Sequence, residues 1–462
     1  MNLPLLRTAE LRTLETRYAA ARPPLMERAG RAAAGVAGQL LAGSNARVLV
    51  LAGPGNNGGD ARVMARVMQE QGTRVVVVGP GDKVPAGDYG LVVDGLFGIG
   101  LTRPVTGAMA GLIERINAFP GPVLALDIPS GLDGDTGRMP GATVRATHTI
   151  SFIGGKPGLY TLDGPDHCGE VRVDDLGLRL DGFPGALLGV DDFRQCLKPR
   201  ARNSHKGSHG SLAVIGGAAG MTGAALLAAR AGLKLGAGRV FVGLLQTLAV
   251  DPLQPELMLR SPDDALAQAT AAVIGPGLGA SGDALEILRR SASADCPLLL
   301  DADALNLLAA HPVLAAHVAR RTAPTVITPH PAEAARLLAT NTEAVQADRV
   351  GAALRLAQQF KADVALKGCG TVIAHADGRW RINSSGNPGL ASGGSGDVLS
   401  GMAGALLAQG WPAAAALSAA VHLHGAAADA LAAAGAGPIG MTAGELIPVA
   451  RALLNRLIAA NA

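Results

Sequence analysis

The sequence is poor in aromatic residues, in charge and in cysteine. Aromatic side chains make up 3% of the 462 residues and charged side chains 17%, whereas hydrophobic residues make up 48%. This balance excludes a disordered chain and predicts a compact, soluble protein. The formal net charge is only +3, without a long Lys/Arg block, so a nucleic-acid partner is not expected.

Cysteine usage indicates the compartment. The four cysteines, Cys168, Cys196, Cys296 and Cys369, are far apart and form no CxxC pair. Neither a zinc cluster nor a disulfide framework is therefore predicted. We expect a protein of the reducing cytoplasm, and a homo-oligomer.

Two stretches bear on membranes. Met1 to Ala20 carries charged residues throughout, which excludes the apolar core of a secretory signal. Gly401 to Ala428 contains no charged residue, but Gly410, Trp411 and Pro412 interrupt it. We therefore predict two short buried helices around a turn, and no membrane partner.

The length predicts two large domains, with a boundary near Leu197 to Arg202. Short β-branched runs such as Arg47–Ala52 alternate with helical segments in both halves. The predicted fold class is α/β, with two α/β/α domains built on parallel sheets. The segment between Gly154 and Gly185 is expected to be irregular.

Polar residues follow three predicted strands of the first half. They are the glycine loop Gly53–Asp60 with Asn56 and Asn57, then Asp94, then Asp127. Ligands bind at the carboxyl ends of parallel strands, so these residues predict a pocket. Asp94 and Asp127, together with Ser130 and the Asn57 carbonyl, could supply oxygen ligands to a monovalent or divalent cation. A tight turn and simple capping by each aspartate are the alternatives.

The second half contains Gly393-Gly-Ser-Gly-Asp397 ahead of an apolar run. Glycines at a helix N-terminus can cradle a phosphate, and Asp397 could accept a proton from the attacking hydroxyl. Lys367–Thr371 offers a lysine and a hydroxyl to a nucleotide, or is an exposed hairpin turn. His330, between two prolines, follows a strand, although a lone histidine is usually structural.

The order of these motifs resembles that of the bifunctional NAD(P)H-hydrate repair enzymes over nearly the whole chain. The motifs are Gly53–Asp60, Val93–Gly98, Asp127–Gly131, His205–Gly207, Gly275–Gly279, Pro329–Pro331, Lys367-Gly368 and Gly393–Asp397. The resemblance implies a Rossmann-like NAD(P)H-hydrate epimerase domain over residues 1–200. It also implies a ribokinase-like, ADP-dependent (S)-NAD(P)H-hydrate dehydratase domain over residues 201–462.

The resemblance also implies site residues. Asp127 and Asp397 would be the catalytic groups, and both would contact substrate. The other implied substrate-binding residues are Asn56, Asn57, Gly58, Gly59, Asp60, Gly98, Ile99, Gly100, Leu101, Thr102, Arg103, Pro104, Ala224, Gly279 and His330. Potassium would be held by Asn57, Asp94 and Ser130. The implied ADP site consists of Lys367, Gly368, Cys369, Gly370, Thr371 and Gly396.

The implied chemistry is a repair cycle for hydrated NADH and NADPH. The first domain would interconvert the R and S hydrates with K⁺ bound. In the second domain Asp397 would deprotonate the hydroxyl of the S hydrate, which attacks the β-phosphate of ADP with Mg²⁺ present. Loss of phosphate then gives NAD(P)H, AMP and phosphate.

Two positions depart from the family pattern. Ala61 and Ala332 stand where glycine is usual, which matters only if either needs a positive φ. Three other functions are alternatives. The nearest is a kinase acting on a small alcohol, but such a kinase has no use for the pocket predicted in the first half of the chain. The first domain could also be a non-catalytic scaffold. An NAD-dependent dehydrogenase lacks support because GxGxxG is missing.

Overall fold

Two compact units make up the chain in the computed structural model, which describes residues 2–41, 43–101 and 103–461. The N-terminal unit comprises Leu3–Ala186, and the C-terminal unit contains the described chain from Leu187 onward together with Asn2. The division thus falls ahead of the predicted boundary near Leu197 to Arg202. The reason is that Phe193 and Leu197 are buried in the hydrophobic core of the C-terminal unit.

The N-terminal unit is built on a six-stranded parallel sheet in the order β2-β1-β3-β4-β5-β6. The strands are β1 (Arg47–Ala52), β2 (Val75–Val78), β3 (Tyr89–Gly95), β4 (Val123–Leu126), β5 (His148–Phe152) and β6 (Glu170–Asp174). The helices are α1 (Thr8–Arg17), α2 (Leu25–Leu41), α3 (Asn56–Glu70), α4 (Gly107–Asn117) and α5 (Gly164–Cys168).

Both faces of this sheet are covered. Val48 and Val50 of β1 belong to the hydrophobic cluster that contains α2 and α3. Leu49 and Leu51, which point to the opposite face, pack in the cluster that contains α4. Burial on both faces explains why β1 is a continuous apolar run, and the predicted helix-covered parallel sheet is confirmed.

Two local predictions for the N-terminal unit were wrong. The polar part of the predicted loop Gly53–Asp60 is helical, because α3 begins at Asn56. The glycines there serve close packing, since a Cβ on Gly58 would lie 1.9 Å from the carbonyl oxygen of Gly53. The segment Gly154–Gly185, expected to be irregular, contains α5 and the partly exposed edge strand β6.

The C-terminal unit is built on a larger sheet, ordered β10-β9-β8-β11-β12-β13-β14-β15-β16-β7. Its strands are β7 (Gly185–Leu187), β8 (Ser211–Gly216), β9 (Arg239–Leu244), β10 (Met258–Arg260), β11 (Ala271–Ile274), β12 (Leu298–Leu300), β13 (Thr325–Ile327), β14 (Asp363–Leu366), β15 (Val372–Ala374) and β16 (Trp380–Ile382). From β10 to β14 the neighbours are parallel, whereas β15 pairs antiparallel with β14 and with β16. The carboxyl ends of the parallel strands therefore share one edge.

The helices of this unit are α6 (Thr222–Lys234), α7 (Pro262–Ala267), α8 (Gly282–Ala292), α9 (Asp303–Ala310), α10 (Pro312–Val318), α11 (Pro331–Leu337), α12 (Thr342–Ala347), α13 (Arg349–Phe360), α14 (Ser395–Ala408), α15 (Ala413–Ala433) and α16 (Ala443–Asn461). The helices α6, α14, α15 and α16 share one hydrophobic core with one face of the sheet.

The charge-free stretch Gly401–Ala428 forms parts of two buried helices. α14 ends at Ala408 and α15 begins at Ala413, so Gly410 and Pro412 separate them as predicted. In the described part of the chain, no helix has both the length and the apolarity needed to cross a bilayer.

Candidate active sites

A cavity of about 790 Å³ lies in the N-terminal unit at the carboxyl ends of its strands. Nine of the predicted site residues line it: Asn56, Asn57, Asp60, Gly98, Ile99, Gly100, Leu101, Arg103 and Asp127. Among the described residues, Gly58, Gly59 and Pro104 are not part of its wall. The predicted Thr102 lies outside the described residues.

Asp127 occupies a special backbone position in this cavity. It directly follows β4, and its φ is +65°. A residue other than glycine with positive φ is uncommon, although aspartate tolerates it better than bulkier residues do. Such strain often accompanies function.

Lys156 pairs with Asp127 and was not anticipated from the sequence. Its ammonium group contacts Oδ1 of Asp127 and donates to Ser151 Oγ at 2.8 Å and to the Phe152 carbonyl at 2.9 Å. The side chain of Lys156 is only 1% exposed. Removing either partner would leave the other charge in this cavity without its ion pair.

Two further carboxyl groups line the same cavity, Asp60 on α3 and Glu15 on α1. Burial, with added repulsion from Asp127 and Glu15, raises the pKa of Asp60 to about 8. Burial and then the charge of Asp127 also raise the pKa of Glu15. Three carboxyl groups thus surround one ammonium group, which favours protonation of those that Lys156 does not contact.

Asn57, Asp94 and Ser130 form a second cluster beside the cavity. Ser130 donates through Oγ to Asp94 Oδ1 at 2.6 Å and through its backbone N–H to Oδ2 at 2.8 Å. The Phe97 carbonyl accepts hydrogen bonds from Asn57 Nδ2 at 2.8 Å and from Ser130 Oγ at 3.1 Å. The Phe97 carbonyl thus links Asn57 to Ser130, and Ser130 in turn contacts Asp94.

The atoms of this cluster suit a cation. Asn57 Oδ1 is buried without a hydrogen-bond partner in the described structure, and Asp94 is fully buried. Burial raises the pKa of Asp94 to about 6, against the hydrogen bonds from Ser130 and Leu96. Among the described residues, no group of three or more His, Cys, Asp or Glu side chains could hold a metal ion. A single carboxylate with neutral oxygens fits a monovalent cation better than a divalent one.

In the C-terminal unit, Asp397 lies in the first turn of α14. Gly394 precedes this helix with φ +89°, a left-handed conformation that glycine adopts freely. Burial first, and then repulsion by Asp301, raise the pKa of Asp397 to about 6. The helix N-terminus and a carboxyl group poised near neutrality are therefore adjacent, as an acid–base group at a phosphate site requires.

Lys367 and Asp301 connect the loop Lys367–Thr371 with this helix. Lys367 Nζ lies 2.7 Å from Asp301 Oδ1, and Ser400 Oγ donates to Asp301 Oδ2 at 2.6 Å. A Cβ on Gly396 would be 3.4 Å from Lys367 Nζ, so the lysine reaches the start of α14. Burial would lower the pKa of Lys367, but the carboxylates of Asp301, Glu333 and Asp397 outweigh it and raise that pKa.

The remaining predicted residues of the C-terminal unit occupy strand and helix ends. Gly279 has φ +74°, and its N–H donates to Asp303 Oδ2 at 2.8 Å. Ala224 lies next to Gly277, whose added Cβ would be 3.2 Å from the Cβ of Ala224. The Thr371 hydroxyl donates to the Gly368 carbonyl at 3.2 Å. Cys369 is exposed in this same loop, and Gly370 has φ +66°.

His330 has a structural role in addition to any contact with substrate. Its Nδ1 accepts hydrogen bonds from the backbone N–H groups of Ala332 at 3.1 Å and Glu333 at 3.4 Å, which caps α11. The ring is still 48% exposed. Ala332 and Ala61 are both within helices and have no positive φ, so neither substitution for glycine introduces backbone strain.

Two family models match the chain. Residues 212–450 match the family described as NAD(P)H-hydrate dehydratase. Residues 23–86 and 80–158 match the family described as YjeF-related protein N-terminus. The two matches fall on different units of the fold, one on each set of candidate site residues.

Curated and solved relatives agree with these matches. A "Bifunctional NAD(P)H-hydrate repair enzyme Nnr" from Escherichia coli is 39% identical over 88% of this chain and 85% of its own length. The ADP/ATP-dependent NAD(P)H-hydrate dehydratase of Bacillus subtilis, co-crystallised with ATP and Mg²⁺, has a TM-score of 0.51 and 30% identity, over 59% of this chain and 98% of its own. A ribokinase-like superfamily protein from Enterococcus faecalis has a TM-score of 0.53 and 26% identity, over 61% of this chain and 99% of its own.

Proposed function

The chain belongs to the family of bifunctional NAD(P)H-hydrate repair enzymes, and from that premise we propose which residues carry out each of its two reactions. Its function is the repair of hydrated NADH and NADPH. The N-terminal, Rossmann-like domain epimerises the R and S hydrates, and the C-terminal, ribokinase-like domain dehydrates the S hydrate to NAD(P)H at the expense of ADP. One observation supports the assignment of two sites. Asp127 directly follows β4 in the N-terminal unit, and Asp397 lies in the first turn of α14 in the C-terminal unit.

We assign the role of general base in epimerisation to Asp127, which forms an ion pair with Lys156, and the role of proton donor to Asp60. In the hydrates, water has added to an enamine double bond of the reduced nicotinamide ring. The hydroxyl group is then on the carbon next to the ring nitrogen, so this nitrogen can assist its departure. Asp60 protonates the hydroxyl, the C–O bond breaks, and nitrogen forms a double bond to the same carbon. Asp127 then takes a proton from a water that adds to the other face. The proton returns to Asp60 through solvent.

This assignment is supported by the different surroundings of the two carboxyl groups. Asp127 contacts an ammonium group, whereas Asp60 has no hydrogen-bond or ion-pair partner among the described residues and has a pKa raised to about 8 by burial. Pairs of carboxyl groups whose surroundings separate their pKa values are suited to divide acid and base roles. The other residues that line the cavity would bind the hydrated dinucleotide.

We propose that the cluster of Asn57, Asp94 and Ser130 holds K⁺. The unpaired Asn57 Oδ1 and the buried Asp94 carboxylate support it, because a cation would satisfy both. Bound K⁺ would supply positive charge that keeps Asp94 ionised and fixes the first turn of α3. Asp60 lies in the same helix, so the cation would also help to place the proton donor.

For dehydration we assign the general base to Asp397. Its carboxylate accepts the proton of the substrate hydroxyl, whose oxygen attacks the β-phosphorus of ADP as the bond to the α-phosphate oxygen breaks and AMP leaves. Phosphate then leaves the ring, and the adjacent ring carbon gives a proton to the departing phosphate, which restores the double bond. The loop Lys367–Thr371 and the N–H groups at Gly396 would hold the nucleotide. Mg²⁺, co-crystallised with ATP in the Bacillus subtilis relative, would neutralise phosphate charge.

The remaining proposals concern substrate placement and cellular setting. Ala224, Gly279 and His330 would contact the hydrate in the dehydratase domain. The domains would extend over residues 1–200 and 201–462. All four cysteines are free, which supports a cytoplasmic setting. The small-molecule partners would be the hydrates of NADH and NADPH (NADHX and NADPHX) and ADP. The protein would be a homo-oligomer.

One assay tests the whole assignment. Purified protein is given a mixture of R and S hydrates with ADP, with ATP or with no nucleotide, and the absorbance of reduced nicotinamide is followed. The proposal expects full recovery with ADP and none without a nucleotide. No recovery with either nucleotide would exclude a dehydratase, and recovery limited to the S hydrate initially present would exclude an active epimerase.

A further inference from the structure

Arg349 is a buried cation directly behind the loop Lys367–Thr371. It is the first residue of α13, and only 3% of it is exposed. Its Nη2 donates to three carbonyl oxygens, those of Leu366 at 3.1 Å, Lys367 at 3.3 Å and Gly370 at 3.3 Å. One guanidinium group therefore holds two carbonyl groups of the loop, those of Lys367 and Gly370, together with the carbonyl at the end of β14.

The hydrogen bonds of this guanidinium all go to neutral groups. Its Nη1 donates to the neutral side chain of Gln346 at 2.7 Å, and its buried Nε has no hydrogen-bond partner in the described structure. Among the described residues, no carboxylate forms an ion pair with Arg349. Burial lowers the pKa of Arg349 to about 10, so the group is still cationic at neutral pH. An uncompensated buried charge is costly unless something is gained from it.

The loop is shaped around the guanidinium. Gly368 has φ +140°, and a Cβ at this position would lie 2.9 Å from Nη1 and 3.0 Å from Nη2 of Arg349. The ends of the loop are fixed separately, since the Lys367 N–H donates to the Pro329 carbonyl at 2.9 Å and the Asn383 N–H to the Thr371 carbonyl at 3.0 Å. Between these ends, Arg349 holds the Gly370 carbonyl and the Thr371 hydroxyl holds the Gly368 carbonyl.

We propose that Arg349 is a positioning residue for the nucleotide: it turns the loop carbonyls inward so that the loop N–H groups face the ADP phosphates, and its charge strengthens the site for an anion. The inference rests on the proposed nucleotide site. Carbonyl dipoles that pointed outward would repel a diphosphate, and a cation behind the loop opposes that arrangement. The anion supplies the balancing charge that the protein lacks.

The test compares Arg349→Met and Arg349→Lys with Arg355→Met, a control at an exposed position of the same helix. Calorimetry measures the Kd for ADP, and kinetics measure KM for ADP and for the S hydrate. Arg349→Met should raise Kd and KM for ADP roughly tenfold or more, because hydrogen bonds to a charged group are lost. KM for the hydrate and the epimerisation rate should stay near wild type. Arg349→Lys, which keeps the charge but lacks the planar fork, should also bind ADP more weakly.

The outcomes separate this inference from the proposed function. If the wild-type chain does not bind ADP, the proposed nucleotide site itself fails. If it does, and Arg349→Met binds ADP as tightly, the inference is wrong. Equal losses for ADP and hydrate would indicate a merely structural role and contradict it. Should Arg349→Met not fold, as judged by loss of the C-terminal melting transition, Arg349→Lys decides by the same ADP-to-hydrate comparison.

Discussion

The buried ammonium of Lys156 contacts the carboxylate of Asp127, a residue held at φ +65° directly after β4. The contact joins two segments that the chain separates, the ends of β4 and β5. Of the three carboxyl groups in this cavity, Asp127 is the one that contacts an ammonium group, and burial raises the pKa of Asp60 to about 8. The proposed epimerisation uses this difference in surroundings.

Replacing Lys156 should abolish epimerisation selectively. In Lys156→Met, Asp127 loses the ammonium group that contacts and orients it, so the epimerisation rate should fall by roughly 100-fold or more. The dehydration rate with pure S hydrate and ADP should be unchanged. The exposed Lys83→Met is the matched control in the same unit and should epimerise normally. Normal epimerisation by Lys156→Met would remove the ammonium from the mechanism.

The proton on Asp60 should make the N-terminal unit sensitive to pH. A pKa of about 8 in the folded state exceeds the value near 3.9 of an unfolded aspartate. The folded state then holds the extra proton between these values, so stability falls as pH rises through this window. Epimerisation should decline above about pH 8, where Asp60 loses the proton it donates.

The variant Asp60→Asn tests both consequences. Its N-terminal unit should melt at a temperature that changes less between pH 5 and pH 8 than in wild type, and it should epimerise slowly at every pH. Asp88→Asn, at an exposed position, should behave like wild type. An unchanged pH dependence of melting in Asp60→Asn would mean that Asp60 does not carry the proton.

Potassium should stabilise the N-terminal unit independently of catalysis. A ligand that binds only the folded state raises the melting temperature. The unit should therefore melt higher in KCl than in tetramethylammonium chloride at equal ionic strength, and Asn57→Ala and Asp94→Asn should remove most of the difference. Ser44→Ala, on the same unit but outside the cluster, should keep it. Equal melting of the wild type in both salts would argue against a K⁺ site.

Asp301 should set the pH dependence of dehydration. Its charge is the second largest cause, after burial, of the raised pKa of Asp397. Wild-type activity should increase with pH through about 6 as Asp397 ionises. In Asp301→Asn the repulsion is gone, so this increase should move to lower pH while kcat falls, because Lys367 loses its partner. The exposed Asp283→Asn serves as the control, and an unmoved profile in Asp301→Asn would contradict the coupling.

Much of the fold was readable from the sequence because parallel sheets buried on both faces require continuous apolar strands. β1 has the predicted bounds, and the turn at Gly410 and Pro412 separates two helices as expected. The first turn of α3 was mistaken for a loop because its glycines suggest flexibility. Their cause is tertiary: Gly58 lies against the Gly53 backbone, which no local pattern shows.

The candidate sites were predictable where polar residues follow strands, as for Asp94 and Asp127. Lys156 was missed because it lies in a stretch that was predicted to be irregular. Its partner Asp127 follows the neighbouring strand β4, far away in the sequence. Asp301 also follows a strand, but only the folded chain brings it to Lys367. Arg349 looked like an ordinary residue of a helix, since its partners are backbone carbonyls that carry no sequence signal.

The most direct test of two separate active sites uses Asp127→Asn and Asp397→Asn on mixed R and S hydrates with ADP. Asp127→Asn should regenerate NAD(P)H only until the S hydrate initially present is consumed, and Asp397→Asn should regenerate none. Combining the two variants should restore complete recovery, since each supplies the activity that the other lacks. Complete recovery by Asp127→Asn alone, at a rate above spontaneous epimerisation, or no recovery by the combined variants, would contradict the account.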